Sequence, residues 1–382
     1  MHVEIYDSLK DIDKDSFNAI VDEGNPFIEY EFLYALEESG SVGENTGWLP
    51  QYLILIDEKK IIGNLTWYIK FDSYGEYIFD WQWASAFENS GLAYYPKAVV
   101  SIPFTPATGT RVSIDKNKNY EQCFSLLITS LINSCKKKNI SSIHLLFTTK
   151  KEHDLLEKLG FSSRLSHQYH WQNSNYNTFD DFLVKLKSKR RKQIKRERRI
   201  VNESNLEVSI LTGDEIEKVH IEAMWNFYIN TTTNKWGQAY LNKAFFNSIF
   251  NNFKHRLCLV IAQNDEGYVA GTWNFFKNDQ LYGRYWGESK YYSQLHFECC
   301  YYKLIDFAIE NKITKFEAGA QGEHKFVRGF AAQTTYSSHL IFNQSAKAAI
   351  DNFLTNERNH IKQMLTQYKK NSPYNGHVVK DP

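Results

Sequence analysis

The chain has 382 residues, with 45 Lys and Arg against 44 Asp and Glu, for a net charge of +1. At 42% apolar and 23% charged, it cannot be disordered as a whole, and at ~150 residues per domain it should hold two or three domains. No stretch approaches the ~20 uncharged apolar residues of a membrane-spanning helix. The first ten residues carry acids and no apolar run, which argues against a secretory signal and for a cytoplasmic protein.

In chain order, residues 12–40 predict two helices broken at Asn25-Pro26. QYLILIDEKKIIGNLTWYIK (51–70) predicts a hairpin with a charged turn at Asp57–Lys60. EYIFDWQW (76–83) and AVVSIPF (98–104) read as further strands, the second followed by the loop TPATGTR. Residues 119–138 have helical apolar spacing and end in cations, as a helix C-terminus favours. SSIHLLF (141–147) is a strand, 152–161 a short helix and HQYHWQ (167–172) a last strand.

The second half repeats this order. Residues 214–232 read as helix, 256–276 as a hairpin turning at Asn264–Gly267, and LYGRYWG (281–287) as a strand. HFECCYYKLIDFAIENK (296–312) is an amphipathic helix, followed by strands at 313–319 and 334–342 and a helix at 345–370. Gly63-Asn64-Leu65-Thr66-Trp67 echoes Ala270-Gly271-Thr272-Trp273, a weak internal duplication.

Between the halves lies a basic run. Lys185 to Arg199 holds ten basic residues and one acid, Glu197. Its apolar residues (Phe182, Leu183, Leu186, Ile194, Val201) are spaced helically, so one face packs and the cations point outward. Arg190, Arg191, Lys195 and Arg196 are the candidate polyanion-binding residues, for tRNA, an acidic lipid head group or a diphosphate carrier. A structural interdomain helix is the other reading.

The five cysteines (Cys123, Cys135, Cys258, Cys299, Cys300) form no CxxC, so neither a disulfide framework nor a cysteine zinc site is expected. His167 and His170 lack a third ligand, and no metal site is expected.

A hairpin, two further strands, a helix and a fifth strand resemble the N-acetyltransferase (GNAT) order. Two copies resemble the Fem-type peptidoglycan aminoacyltransferases. NPFIEYEFLYALEESGSVGENTGWLPQYL, SYGEYIFDWQWA, SIPFTPATGTR, KSKRRKQIKRERR, LYGRYWG and FEAGAQGEHKFVRGF resemble signatures of the Fem-like predicted N-acyltransferases. The resemblance implies an α/β (α+β layered) fold of two tandem GNAT-like domains. Their boundaries would be 1–178 and 205–345, with a basic linker helix at 179–204 and a C-terminal helix and tail at 346–382. It implies an acyl or aminoacyl transferase acting on an amine of a peptidoglycan or cell-envelope precursor. A non-catalytic precursor-binding or polyanion-binding protein is the alternative.

No [QR]xxGx[GA] loop precedes either central helix, so no CoA pyrophosphate loop is recognisable. The donor is then an aminoacyl-tRNA or a CoA thioester bound differently. The partner would be a small or lipid-linked substrate, with tRNA or an anionic membrane surface at the basic helix. The protein would work in the cytoplasm or at the inner membrane face.

FEAGAQGEHKFVRGF follows the fifth strand of the second half, where a GNAT sheet splays to admit the acyl donor. Glu323 or His324 would be the base, with Lys325, Arg284 and Arg328 stabilising negative charge and Gln321 binding substrate. A salt-bridged surface loop is the competing reading. Tyr282, Arg284 and Trp286 share a strand face, and His296 opens the central helix. Asp80, between Phe79 and Trp81, needs a raised pKa or a partner: a structural hydrogen bond or a substrate amine. Thr105, Thr108 and Arg111 form a second candidate binding loop.

Overall fold

The computed structural model describes residues 1–236, 239–320 and 322–376, and only the backbone of 234–236. The chain forms two units: Met1–Ser166 with Thr334–Gln363, and His167–Gln333 with Met364–Pro382.

The first unit begins with β1 (His2–Tyr6), α1 (Lys14–Asn18) and α2 (Tyr30–Glu38). The hairpin β2 (Trp48–Asp57) and β3 (Lys60–Lys70) turns through Glu58 and Lys59, both left-handed, as a tight two-residue turn requires. Next come α3 (Trp81–Asn89), β4 (Lys97–Val100), β5 (Val112–Ile114), α4 (Tyr120–Lys137), β6 (Ser142–Thr148) and α5 (Lys150–Lys158). The segment 76–83 is therefore not a strand. Trp83 and Phe87, four apart on α3, bury one helix face in a cluster with Ile350 and Leu354.

The second unit holds β7 (Ser162–Gln172) from His167 onward, α6 (Phe179–Lys185), α7 (Ser188–Asn202), β8 (Glu207–Thr212), α8 (Lys218–Trp236) and α9 (Lys243–Phe253). A hairpin of β9 (Leu257–Asn264) and β10 (Gly267–Lys277) and then β11 (Gln280–Glu288) follow. The central helix runs through α10 (Leu295–Phe297), a π-helical turn Glu298–Tyr302 and α11 (Lys303–Glu310), followed by β12 (Lys315–Glu317). The last two elements, β13 (Ala331–Ile341) and α12 (Gln344–Lys370), each divide between the units.

The two units repeat one topology. In the first, β1, β2, β3 and β4 pair antiparallel in turn, β4 pairs parallel with β6, and β6 pairs antiparallel with β13. In the second, β8, β9, β10 and β11 pair antiparallel, β11 pairs parallel with β12, and β12 pairs antiparallel with β7. The duplication is real, but the closing strands are exchanged. Strand 167–172 completes the second unit's sheet, through Gln172↔Lys315 and His170↔Glu317. The first unit is closed by residues 336–341, through Ser337↔Leu146 and Ile341↔Ser142.

Each sheet is covered on both faces. In the first unit α4 and α5 bury Phe124, Leu127, Leu131 and Leu156 against Leu65, Trp67, Val100 and Leu145. In the second, α7 contributes Ile194 and Val201 to a core with Val260, Leu281, Tyr302 and Phe316. On the other face α9 sets Phe246 against Trp273, with ring centroids 4.8 Å apart. The basic helix thus packs into the second unit's core as well as presenting cations.

The strand exchange gives a direct test. Residues 1–166 alone leave the β6 edge unpaired and remove Ile350 and Leu354 from their cluster. That fragment should unfold without cooperativity in urea, and fusing 334–363 to its end through a flexible linker should restore a cooperative transition. A cooperative transition for 1–166 alone would contradict the topology.

Candidate functional site

In the second unit the parallel pair β11–β12 runs only from Gln280↔Lys315 to Tyr282↔Glu317. Beyond it β11 continues to Glu288, whereas β12 ends at Glu317. Gly283 and Arg284 lie on one side of the parting and Ala318 and Gly319 on the other. A single 3-10 turn, Glu323–Arg328, follows.

Two glycines make that turn possible. Gly322 has φ +114, and a Cβ there would lie 2.6 Å from the His324 ring. Gly329 has φ +93, and its Cβ would lie 2.6 Å from the buried Phe182 ring. L-residues rarely adopt such backbone, so both positions are reserved for glycine.

The turn sends consecutive side chains to different places. Lys325 is 4% exposed, and its Nζ donates to Gly319 O at 3.1 Å. Burial pushes its ammonium down to about 8; Cys300 opposes this shift and Arg284 adds to it. Arg284 Nη1 donates to Gly283 O at 2.8 Å, and its guanidinium lies 5.3 Å from the Tyr282 ring centre. Two cations therefore bracket the point where the strands separate.

His324 keeps an exposed edge. Its Nε2 shares a 2.8 Å hydrogen bond with Tyr301 Oη, and its ring packs on Phe297 and His296. Burial, then the charges of Lys325 and Arg328, hold its imidazole below the usual range, so it is neutral at pH 7. Glu323 is exposed and accepts from Tyr368 Oη at 3.2 Å. His296 lies between Trp286 and His324, with ring centroids 5.2 Å from Trp286 and 5.9 Å from His324. Gln321 lies outside the described residues.

Arg328 has another task than stabilising charge on a substrate. It is 4% exposed and clamps Glu197 with two bonds, Nε to Oε2 (3.0 Å) and Nη2 to Oε1 (2.7 Å). Its charge is compensated inside the protein. Glu197, the lone acid of the basic run, is the residue that sequence reasoning passed over, and its isolation among ten cations was the available signal.

On α7, Arg198 is drawn inward to Glu298 (3.0 Å) and Asp306 (2.6 Å). Lys195 pairs with Asp180 at 2.9 Å, Arg196 is exposed, and Arg190 and Arg191 are half-buried. His170 is buried 3.9 Å from Glu317, and burial lowers its imidazole to about 4. Among the described residues no group of three metal-ligating side chains occurs.

The first unit places Asp80 and Arg111 differently from a substrate loop. Asp80 is buried and accepts from Tyr94 Oη (2.5 Å) and from Lys97 Nζ. Lys97 is buried too, with Nζ at 2.9 Å from Glu76 Oε1 and 3.0 Å from Oε2. Burial pushes the Asp80 carboxyl up, but Lys97 and these hydrogen bonds outweigh it and the net shift is downward. The partner that Asp80 needed is an internal ammonium.

Arg111 is spent on its own loop. Its guanidinium donates to Leu146 O (2.9 Å), Gly109 O and Thr110 O (both 3.2 Å) and Ala107 O. Glu152 Oε1 accepts the N–H groups of Arg111 (2.8 Å) and Val112 (2.9 Å). Thr105 is buried, with its C=O accepting from Ala107 N–H at 2.9 Å. This loop is a clamped structural turn.

Glu76 generates a pH prediction. Burial raises its carboxyl to about 7, against the pull of Lys97; an unfolded glutamate titrates near ~4.3. The folded state therefore holds the extra proton, and this group's contribution is present at low pH and lost as pH rises through about 7. Glu76→Gln should gain melting temperature relative to the parent between pH 5 and pH 8. An unchanged difference at the two pH values would refute the assignment.

The family described as FemAB-like, peptidoglycan biosynthesis/recognition, matches residues 8–376. FemX superposes with a TM-score of 0.55 at 11% identity, covering 92% of this chain and 100% of that one. A conserved protein of unknown function from Bacteroides thetaiotaomicron gives 0.52 at 13% identity, covering 90% and 100%. L-PGS from Bacillus licheniformis gives 0.50 at 11%, covering 87% and 97%. No curated protein matches in sequence. The structural likenesses establish a shared fold, and the sequence match over nearly the whole length establishes kinship: the chain belongs to the FemAB-like family.

Proposed function

We propose that this protein transfers an acyl or aminoacyl group onto an amine of a peptidoglycan or other cell-envelope precursor, with the chemistry at the turn Gly322–Gly329. One observation carries the reading. The turn places an ammonium of lowered pKa and a neutral imidazole on adjacent residues, where β11 and β12 part.

In the transfer, the acceptor amine attacks the donor's carbonyl carbon. A C–N bond forms, and the carbonyl oxygen takes the negative charge. The amine proton passes to a base and the acyl–oxygen or acyl–sulfur bond breaks, with the leaving group taking a proton. In the tautomer whose Nε2–H donates to Tyr301 Oη, His324 Nδ1 carries the lone pair that accepts the proton. Glu323 is the second candidate base. Lys325 Nζ uses one hydrogen on Gly319 O and keeps two for the oxyanion, with Arg284 adding positive potential. Trp286 and His296 form the adjoining aromatic wall for substrate.

We favour an aminoacyl ester over a CoA thioester as donor, because no [QR]xxGx[GA] loop precedes either central helix. In the Thr105–Arg111 loop the amides of Thr105, Ala107, Gly109 and Arg111 already donate to protein oxygens, which leaves little to hold a pyrophosphate. Of the α7 cations, exposed Arg196 and Lys195, with half-buried Arg190 and Arg191, would meet the donor's polyanionic part or an anionic lipid surface at the cytoplasmic face.

Three variants and a pH profile test this reading. His324→Ala should lower turnover by ~10²–10⁴-fold and Lys325→Ala by ~10²–10³-fold, with melting temperatures close to the parent's. Turnover should rise as His324 loses its proton below pH 6.5 and fall as Lys325 loses its charge near about 8. Glu323→Gln should keep most activity if His324 is the base. Full activity per folded molecule in both alanine variants would remove the turn from the chemistry.

A further inference from the structure

Turn Glu323–Arg328 has little core of its own: of its six residues, only Lys325 and Arg328 are buried. Short turns of this kind open easily unless something outside them fixes their backbone. What fixes this one is a buried polar cluster with contributors from three elements.

Glu197 comes from α7, Tyr302 from the π-helical turn, and Arg328 from the end of the 3-10 turn. Arg328 Nε donates to Glu197 Oε2 (3.0 Å) and lies 3.0 Å from Tyr302 Oη, while Nη2 donates to Glu197 Oε1 (2.7 Å). Tyr302 Oη also donates to Glu197 Oε2. Gln193 Nε2, one helical turn earlier, donates to Glu197 Oε1 at 2.9 Å. The remaining Arg328 nitrogen, Nη1, reaches back to the carbonyl of His324 at 2.8 Å. The guanidinium lies flat against Phe297, 3.4 Å from its ring centre. The charge pair is buried, so each bond is strong and each partner is costly to leave alone.

The π turn gives two adjacent tyrosines complementary roles. Tyr301 Oη meets His324 Nε2, and Tyr302 Oη meets Glu197. The reactive turn is thus gripped at its start through His324 and at its end through Arg328.

We infer that Glu197 and Arg328 are positioning residues: their ion pair, completed by Tyr302, ties the basic helix to the backbone of His324 and so sets where His324 and Lys325 stand. This rests on the transfer reading for its consequence, but the tether itself is a property of the folded chain. It also explains why a run of ten cations retains one acid facing inward.

The test is residue-resolved amide hydrogen exchange on the full chain, which needs no substrate, so failure of the tether and failure of the transfer reading are separate results. In Glu197→Gln, the amides of Lys325, Gly329 and Phe330 should exchange ~10–100-fold faster, as expected for loss of a charge-assisted bond. The β9–β10 hairpin amides should stay as in the parent. Tyr302→Phe, which removes one donor and no charge, should give a smaller increase at the same three amides. Arg198→Gln, which breaks bonds to Glu298 and Asp306, should leave them protected. Parent-like protection at the turn in Glu197→Gln would overturn the proposal. So would an equal loss across the second unit in both Glu197→Gln and Tyr302→Phe.

Discussion

The parallel pairing of β11 with β12 stops at Tyr282 and Glu317, and the rest of the candidate site follows from that stop. Parallel strands that stay paired leave no room for a ligand between them. Strands that part leave backbone carbonyls without ladder partners, which need donors. Here Arg284 Nη1 serves Gly283 O and Lys325 Nζ serves Gly319 O. Two cations therefore stand where the pairing ends, as a direct result of satisfying the backbone there. Positive potential at a gap in a sheet is what a developing oxyanion requires.

Most buried charges in the two units are compensated inside the protein, and Lys325 is handled differently. In the first, Lys97 is enclosed by Asp80 and Glu76, and Arg111 by four backbone carbonyls. Compensated charges of this kind hold structure and have little left for a ligand. In the second unit, Arg328 is compensated by Glu197, whereas Lys325 Nζ donates to a backbone carbonyl and has another cation, Arg284, nearby. That contrast, rather than burial alone, separates the framework charges from the candidate reactive one.

Local patterns carried much of this structure. Both hairpins, the helix at 120–137 and the basic helix were legible because alternation, cap residues and helical spacing are written within ten or twenty residues. The segment 76–83 misled because its aromatic residues alternate, while the i, i+4 pair Trp83 and Phe87 was the signal that prevailed. Helix Lys243–Phe253 was passed over although Phe245, Phe246, Ile249 and Phe253 lie on one face. The exchanged closing strands had no local signal, since pairing across some 190 residues leaves no period in the sequence. In the site, the glycine-flanked turn was legible, whereas the assignments of Arg328 and Arg111 depended on distant partners. Glu197 lies 131 residues from Arg328, and Leu146 lies 35 from Arg111.

The most direct measurement of the central claim is acyl transfer itself, followed by mass spectrometry of an amine-bearing peptidoglycan precursor. The full-length protein would be supplied in parallel with aminoacyl-tRNAs and with CoA thioesters. The account predicts that the precursor gains the mass of one acyl group from an aminoacyl ester, and that the gain disappears with Lys325→Ala. Tight precursor binding by the folded protein, with no mass gain from any donor, would contradict the claim and leave a protein that recognises the precursor without modifying it.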